Sequence, residues 1–349
     1  MKPRLLFLVL IVAALAWSAG LAAEPPKAPA PDAPETVAVT LLHINDTHGQ
    51  TQPYLEGSKI VGGYARLATL IGDLRGATAS TSARTFLIHA GDEFSRADEL
   101  TNATHGAANI AIWNYLKFDI WTPGNGDYYD DLPVVLKRFH DFKGTVLAAN
   151  VQVKATGEPV GKPYVLSKAG PVRIAFFGLC WLQPFDESFG RYKVEDQYEA
   201  ARRLVPELRK QADVVVAVTH MGDWPDKRLA EMVDGIDVII GAHFHTLLPK
   251  GMRVTTPSGG HVLICQVGAY MQYFGRVDLR LAKAGNGYRL VSAEATAIPI
   301  DESVKPDLTV AAMIARMSEE AGVSAPAPAA PKKPAARADK PTAEPAVVK

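Results

Sequence analysis

The stretch Val37-Ala38-Val39-Thr40-Leu41-Leu42-His43-Ile44-Asn45-Asp46-Thr47-His48-Gly49 decides the fold. Its first half is a β-branched apolar run with too few polar positions for a half-exposed strand, so it reads as a strand buried on both faces. Its second half turns abruptly polar, placing an Asp-x-His pair just past the strand end. The same event recurs downstream. Thr85–His89 runs into Gly91-Asp92, Asp119–Thr122 into Pro123-Gly124-Asn125, Asp213–Thr219 into His220, and Asp237–Gly241 into His243-Phe244-His245.

Helical periods separate these strands. Val61–Leu74 carries apolar groups at Ala65, Leu67, Ala68, Leu70, Ile71 and Leu74, and Asn109–Leu116, Leu132–Phe142, Tyr198–Gln211, Lys227–Val233 and Leu308–Glu320 read likewise. Further strands are expected at Thr145–Ala149, Val172–Leu179, Val262–Val267 and Gly275–Leu281, the last two with hairpin or edge character. Buried strands alternating with helices imply an α/β domain whose sheets are covered by helices. In such sheets ligands gather beyond the carboxyl ends of the strands, so loops far apart in sequence converge there.

The residues so gathered are Asp46, His48, Asp92, Asn125, His220, His243 and His245. Imidazole with carboxylate oxygen is a donor set for zinc, iron or manganese, and the set is read as a site for two divalent metal ions. Any one of these residues alone could cap a helix or satisfy a loop; their repetition at successive strand ends is what carries the reading.

The order of the motifs resembles the calcineurin-like metallophosphatase superfamily, in its 5′-nucleotidase branch. The resemblance runs over residues 38–281. Beyond the segments already quoted, it includes Gly62-Gly63-Tyr64-Ala65-Arg66-Leu67-Ala68, Trp113-Asn114-Tyr115-Leu116, Thr219-His220-Met221-Gly222 and Phe274-Gly275-Arg276-Val277-Asp278. It implies a four-layer fold, two packed mixed β-sheets flanked by helices. By that resemblance Asp46, His48 and His245 hold one ion, Asn125, His220 and His243 the other, and Asp92 bridges them. It also implies a phosphoester substrate, nucleotides included, attacked in line by a metal-activated hydroxide.

One position departs from the pattern. The family places a catalytic histidine directly after the ligand asparagine, where this chain has Gly126; the aspartate that orients that histidine falls at Tyr129 by direct count. A positioned proton-transfer group is worth about 10²–10⁴ in rate. Slow turnover of ordinary esters, or a substrate with a good leaving group, is therefore expected, with a metal-binding pseudoenzyme as the alternative. Arg96, Asp127 and Asp130 are the candidates for catalytic roles nearby, Arg96 because a guanidinium fork suits a phosphate; His105, Tyr128 and Tyr129 are further cleft candidates. A histidine restored at 126 is expected to raise activity if the pocket accepts an imidazole.

The ends of the chain read differently. Lys2 and Arg4 precede the apolar run Leu5–Trp17 and a small-residue exit through Ala23, a secretory signal at residues 1–23. A run this short predicts no stable membrane insertion once the signal is removed, and a periplasmic destination. A Pro/Ala-rich linker at 24–35 leads to the domain at 36–322, and a Pro/Ala/Lys-rich tail follows at 323–349. Secreted 5′-nucleotidases carry a further base-clamping domain, so the expectation here is the catalytic part alone, with a small phosphoester or related anion as partner and no restriction to nucleotides. Formal net charge +0 points to no nucleic-acid polymer. Cys180 and Cys265 both lie in strand-like context, either bridged or as buried thiols.

Overall fold

The computed structural model describes residues 36–78, 84–181 and 190–323. The signal and linker expected at 1–35, and residues 324–349 of the expected tail, lie outside these. In chain order the first part comprises β1 (Thr36–Ile44), β2 (Tyr54–Glu56), β3 (Lys59–Val61), α1 (Tyr64–Thr78), β4 (Arg84–His89), α2 (Glu99–Ala103), α3 (Ala107–Leu116), β5 (Ile120–Trp121), α4 (Leu132–Asp141) and β6 (Thr145–Val146). The middle holds β7 (Val151–Val153), β8 (Tyr164–Ala169), β9 (Val172–Cys180), β10 (Tyr192–Val194), α5 (Gln197–Arg209), β11 (Val214–His220) and α6 (Asp223–Met232). The last part holds β12 (Val238–Ile240), β13 (Met252–Thr255), β14 (His261–Cys265), β15 (Tyr273–Ala284), β16 (Gly287–Pro299) and α7 (Leu308–Glu320).

Two six-stranded mixed sheets result, in the orders β16-β15-β1-β4-β5-β6 and β13-β14-β12-β11-β9-β8. Alternation along each central strand explains how they stack. Val37, Val39 and Leu41 of β1 share one apolar cluster with Ile174 and Phe176 of β9, Val214, Val216 and Val218 of β11, and Val238 and Ile240 of β12. That cluster is the layer between the sheets. The opposite side chains, Leu42 and Ile44, pack with Tyr64, Leu67, Trp113 and Val310 of α1, α3 and α7. On the far side Ala175, Phe177, Val215, Ala217 and Ile239 pack under Leu204, Leu208 and Leu229 of α5 and α6. The order helices, sheet, sheet, helices is the expected four-layer arrangement, and it explains why the central strands are apolar at every position.

Of the hairpin or edge character expected of two late strands, pairing shows the hairpin: β14 pairs antiparallel with β13 and β15 with β16, and neither lies at an edge. The outer positions belong to β13 and β16, whose mixed polar sequences, such as Gly287-Tyr288-Arg289-Leu290-Val291-Ser292, hide the strand period. Cys180 on β9 and Cys265 on β14 are separated in one sheet by β11 and β12, and no disulfide joins them. No described helix is long and apolar enough to cross a membrane.

Strands β1, β4 and β5 run parallel in the first sheet, and β9, β11, β12 and β14 in the second. The ends of β1, β4, β5, β11 and β12 and the loops after them carry all seven candidate ligands, with His220 the last residue of β11.

Candidate metal centre

The loops are locked to one another before any side chain is considered. The amide of Asp46 donates to the Gly91 carbonyl at 2.9 Å, that of His48 to Asp92 O at 2.9 Å, and that of Tyr270 to Asp46 O at 2.8 Å. Five candidate ligands occupy the left-handed backbone region: Asp46 (φ 50), His48 (φ 50), Asp92 (φ 58), His243 (φ 89) and His245 (φ 56). Such a conformation costs about 1–3 kcal/mol at a residue other than glycine and persists only where the surroundings enforce it. Its concentration here marks the apex as a site built for something other than stability.

A second tier of buried polar groups does the enforcing. The Asp127 carboxylate accepts the amides of Gly124 (2.8 Å), Asp92 (3.0 Å), Glu93 (2.8 Å) and Phe94 (3.0 Å), clamping the β4 loop to the β5 loop. Asp127, a catalytic candidate by sequence, thus has its oxygens taken up by backbone donors. Glu93, fully buried, collects the Thr47 hydroxyl, the Tyr64 hydroxyl at 2.9 Å and the Asn109 amide at 2.5 Å, with His89 Nε2 at 3.3 Å. Gly91 donates to His89 Nδ1 at 3.0 Å, which leaves the ring proton on Nε2, toward Glu93. Sequence reasoning missed Glu93; a second acid beside a ligand acid, in Gly-Asp-Glu, was its only trace.

The candidate ligands fall into two groups of closely spaced donor atoms: Asp46, His48 and His245, and Asp46, Asp92 and His220. Asp46 is common to both, whereas the resemblance assigned the bridging place to Asp92. His48 Nε2 and His245 Nε2 face each other at 3.0 Å, and His245 Nε2 lies 3.5 Å from Asp46 Oδ1. His48 Nδ1 is 3.1 Å from the Ser95 carbonyl, which places the proton there and frees the Nε2 lone pair. His220 repeats this arrangement, with Nδ1 2.8 Å from Ala90 O and Nε2 buried without a hydrogen-bond partner, 3.3 Å from Asp92 Oδ1. Asn125 donates its amide to the Tyr129 hydroxyl at 2.6 Å while its carbonyl oxygen stays buried and unpartnered. The His243 backbone amide donates to Asp46 Oδ2 at 3.0 Å, and its ring lies 5.1 Å from that of His220. His243 and Asn125 thus border the second group without joining it.

Electrostatics show what these donors lack. Burial works against ionisation of Asp46 and Asp92, yet surrounding histidines hold both carboxyls below their ordinary range. Burial also opposes charge on His220, but the carboxylates outweigh it and lift His220 to about 10. Burial takes His48 and His243 down to about 4, against the pull of the same carboxylates. Two buried carboxylates thus demand positive charge, and the Nε2 of His220 and the carbonyl oxygen of Asn125 are buried without partners. Divalent cations fit both demands, with His220 then a neutral ligand.

The remaining candidates separate clearly. Arg96 is exposed on the β4 loop at φ 58, near enough for its charge to oppose protonation of His48. Asp130, a further catalytic candidate by sequence, is ion-paired with Arg138 of α4. His105 is exposed on the turn between α2 and α3, and Tyr128 is buried against Phe139 and Tyr192. Tyr270, at φ 54, packs its ring 4.9 Å from that of His48 and 5.6 Å from that of His245, and was not anticipated.

Gly126 has no room for a side chain. A Cβ there would lie 2.2 Å from Ser95 Oγ and 2.5 Å from Ser95 Cβ, while the Gly126 amide donates to Asp92 Oδ1 at 2.8 Å. Ser95 fills this space, with its hydroxyl 3.1 Å from His48 Nδ1. A histidine at 126 would require Ser95 to move, and the restoration turns on that condition.

Comparison with known proteins agrees with this arrangement. The family model of calcineurin-like phosphoesterases matches residues 39–247. The chain is similar to the human 5′-nucleotidase, at 26% identity over 304 residues, 79% of this chain and 52% of the relative. It is similar to the trifunctional nucleotide phosphoesterase protein YfkN of Bacillus subtilis, at 28% identity over 304 residues, 76% of this chain and 19% of the relative. The solved 5′-nucleotidase precursor from Thermus thermophilus superimposes with a TM-score of 0.71 at 24% identity, over 81% of this chain and 59% of that one, and shares the fold. The chain thus spans about half of the human relative's length and a fifth of the bacterial one's.

Proposed function

The chain belongs to the calcineurin-like phosphoesterase family, and on that premise we propose that it is an exported hydrolase of small phosphoesters, nucleotides among the candidates, dependent on two divalent metal ions. The observation that carries this reading is the pair of donor groups sharing Asp46, with the bare Nε2 of His220 and the bare carbonyl oxygen of Asn125 beside them. Asp46, His48 and His245 would hold one ion; Asp92, His220, Asn125 and His243 would hold the other. Bound zinc, manganese or iron would supply Lewis-acid charge and lower the pKa of water next to the phosphoryl group.

The chain's own groups do the rest. Asp46 and Asp92 bring the negative charge that keeps the cations in place, and the Ser95 and Ala90 carbonyls fix the histidine tautomers. Arg96 offers a guanidinium at the open side of the loop for a phosphoryl oxygen. No imidazole stands at 126 to protonate a leaving group, and the group that fills the space, the Ser95 hydroxyl, is a far weaker acid than an imidazolium. Esters whose leaving groups depart as stable anions are therefore preferred.

The test pairs metal analysis of the purified protein with a screen of p-nitrophenyl and alkyl phosphates. Two ions per chain and a strong bias toward the nitrophenyl ester are expected. No bound metal after reconstitution would overturn the assignment, and equal turnover of alkyl esters would overturn the leaving-group argument. The Ser95–Gly126 contact also favours a second reading, a metal-binding scaffold without turnover, which two ions and no hydrolysis of any ester would support. Residues 1–23 are proposed as the export signal and 36–322 as the catalytic domain, with the periplasm as destination. A mature N-terminus found beyond Ala23 in periplasmic extract would bear this out.

A further inference from the structure

Beside the metal ligands stands a group of aromatic side chains that the ligand set does not require. Trp181 directly follows β9, and its amide donates to the His220 carbonyl at 3.1 Å. Its ring lies 5.7 Å from that of His243, 6.1 Å from Trp224 and 6.2 Å from Phe244. Trp224 belongs to the first turn of α6, and Phe244 sits between the ligand residues His243 and His245. The Trp224 and Phe244 rings are near-parallel, 27° apart at 6.2 Å, and Trp181 stands at 80° and 78° to them. The result is a cluster of three rings, two near-parallel and one perpendicular to them, standing beside the ring of His243.

The backbone has made room for this arrangement. Gly222, at φ 101, caps α6, and a Cβ there would fall 2.4 Å from Phe244 Cδ2, so only glycine lets the ring lie down. Trp224 remains 38% exposed. Trp181 and Phe244 are half-buried, Trp181 with one side against the core beneath α5 and α6, so Trp224 is the most open ring of the three.

We propose that Trp181, Trp224 and Phe244 bind the planar ring of an aryl phosphoester, so that the favoured substrates leave as phenolates. This rests on the phosphoesterase reading above and names its substrate class. Two independent features agree on the occupant. The rings stand next to His243, and no imidazole is present at Gly126 to protonate a leaving group. A phenol has a pKa near 10, whereas water, the simplest model for an alkanol, lies near 15.7. In the step, the bond between phosphorus and the ring oxygen breaks and its electron pair leaves on the phenolate. The oxygen of water bonds to phosphorus, and the proton it releases passes to solvent or phosphate. No acid is needed on the leaving side.

The test compares phenylphosphonate with methylphosphonate, which bind without being hydrolysed, by calorimetry on the metal-loaded protein, and phenyl with methyl phosphate in turnover. Stacking of one ring on an aromatic side chain carries a tenfold effect or somewhat more. The phenyl-over-methyl preference in binding should therefore fall about tenfold in Trp224→Ala and be retained in Trp224→Phe. Equal binding of the two phosphonates by the native protein, or a preference untouched by Trp224→Ala, would overturn the proposal while leaving phosphoesterase activity standing. Preference for phenylphosphonate with no ester turned over would uphold the aromatic site and remove the hydrolase reading. Tighter dependence of adenosine 5′-phosphate than of phenyl phosphate on Trp224 would assign the face to a nucleobase and overturn the aryl assignment.

Discussion

Asp46 and Asp226 are both fully buried, and they are held in opposite states. Asp46 lies among His220, His243 and His245, whose charges and hydrogen bonds keep its carboxyl ionised below the ordinary range against the cost of burial. Asp226, in the first turn of α6, receives one hydrogen bond, from the Thr219 hydroxyl at 2.7 Å, and its other oxygen has no partner. Burial pushes it up to about 8. Equal burial thus fixes neither state; the company each carboxyl keeps decides. Histidines around Asp46 make a site that asks for a cation, while one hydroxyl beside Asp226 makes a neutral structural group. Asp127 is a third case, satisfied by backbone amides rather than side chains.

The largest effect should follow from neutralising the shared ligand. Asp46→Asn removes charge from both donor groups, so metal analysis should show fewer than one ion per chain. Loss of several kcal/mol of charge stabilisation, at about 1.4 kcal/mol per tenfold, predicts a fall in activity of about 10³-fold or more. Retention of one tightly held ion would show that the two groups are independent and that Asp46 is not common to them.

Asp226→Asn tests the other member of the comparison through stability. A carboxyl raised in the folded state keeps its proton while the unfolded chain loses one, so stability falls as pH rises from about 4 to about 8. Below that window the group adds no penalty, and above it the penalty is complete, on the order of a few kcal/mol. The asparagine keeps the Thr219 hydrogen bond and does not titrate. Denaturation midpoints at constant metal should therefore decline less with pH in the variant. Parallel curves for the two proteins would show that Asp226 is ionised throughout.

Much of this was legible in the chain because strands buried on both faces leave an unmistakable apolar run, as at Val214–Val218, and end in an abrupt polar residue. Val37 to His48 is the same pattern at the first strand. The ligands could be named because each follows such an end. What the chain did not disclose were interactions made across sequence. Asp127 reads as a loop acid, and only the approach of the β4 loop gives its oxygens four amides. Ser95 reads as a surface serine until the Gly126 backbone is set against it. The edge strands β13 and β16 escaped because solvent on one side dilutes the apolar period.

The Ser95–Gly126 contact gives the next effect. Gly126→His alone forces the new Cβ against Ser95 and should bring loss of stability without gain in rate. Paired with Ser95→Gly, the same histidine loses its two shortest contacts, leaving Asp92 Oδ1 3.0 Å from the new Cβ, and turnover of alkyl phosphates should rise by up to about 10²-fold, the lower range for a positioned acid. Nitrophenyl phosphate should gain far less. A gain from Gly126→His alone would show that Ser95 yields readily and that the space was never closed.

The smallest effect distinguishes the two donor groups from each other. Asn125 reaches the second group only as a neighbour, and what holds its side chain is the Tyr129 hydroxyl at 2.6 Å. That bond fixes which end of the amide is the nitrogen, and so leaves the buried carbonyl oxygen, the only end able to ligate a cation, without a partner. Groups that orient a ligand in this way are worth about tenfold to a hundredfold in metal affinity. Tyr129 is exposed at the surface, so Tyr129→Phe keeps the ring and removes little packing. Titration with metal should then show one site unchanged and the other weakened by about tenfold. Equal weakening of both would mean that the two groups respond as one unit through Asp46, and no change in either would mean that Asn125 is oriented by the cation itself.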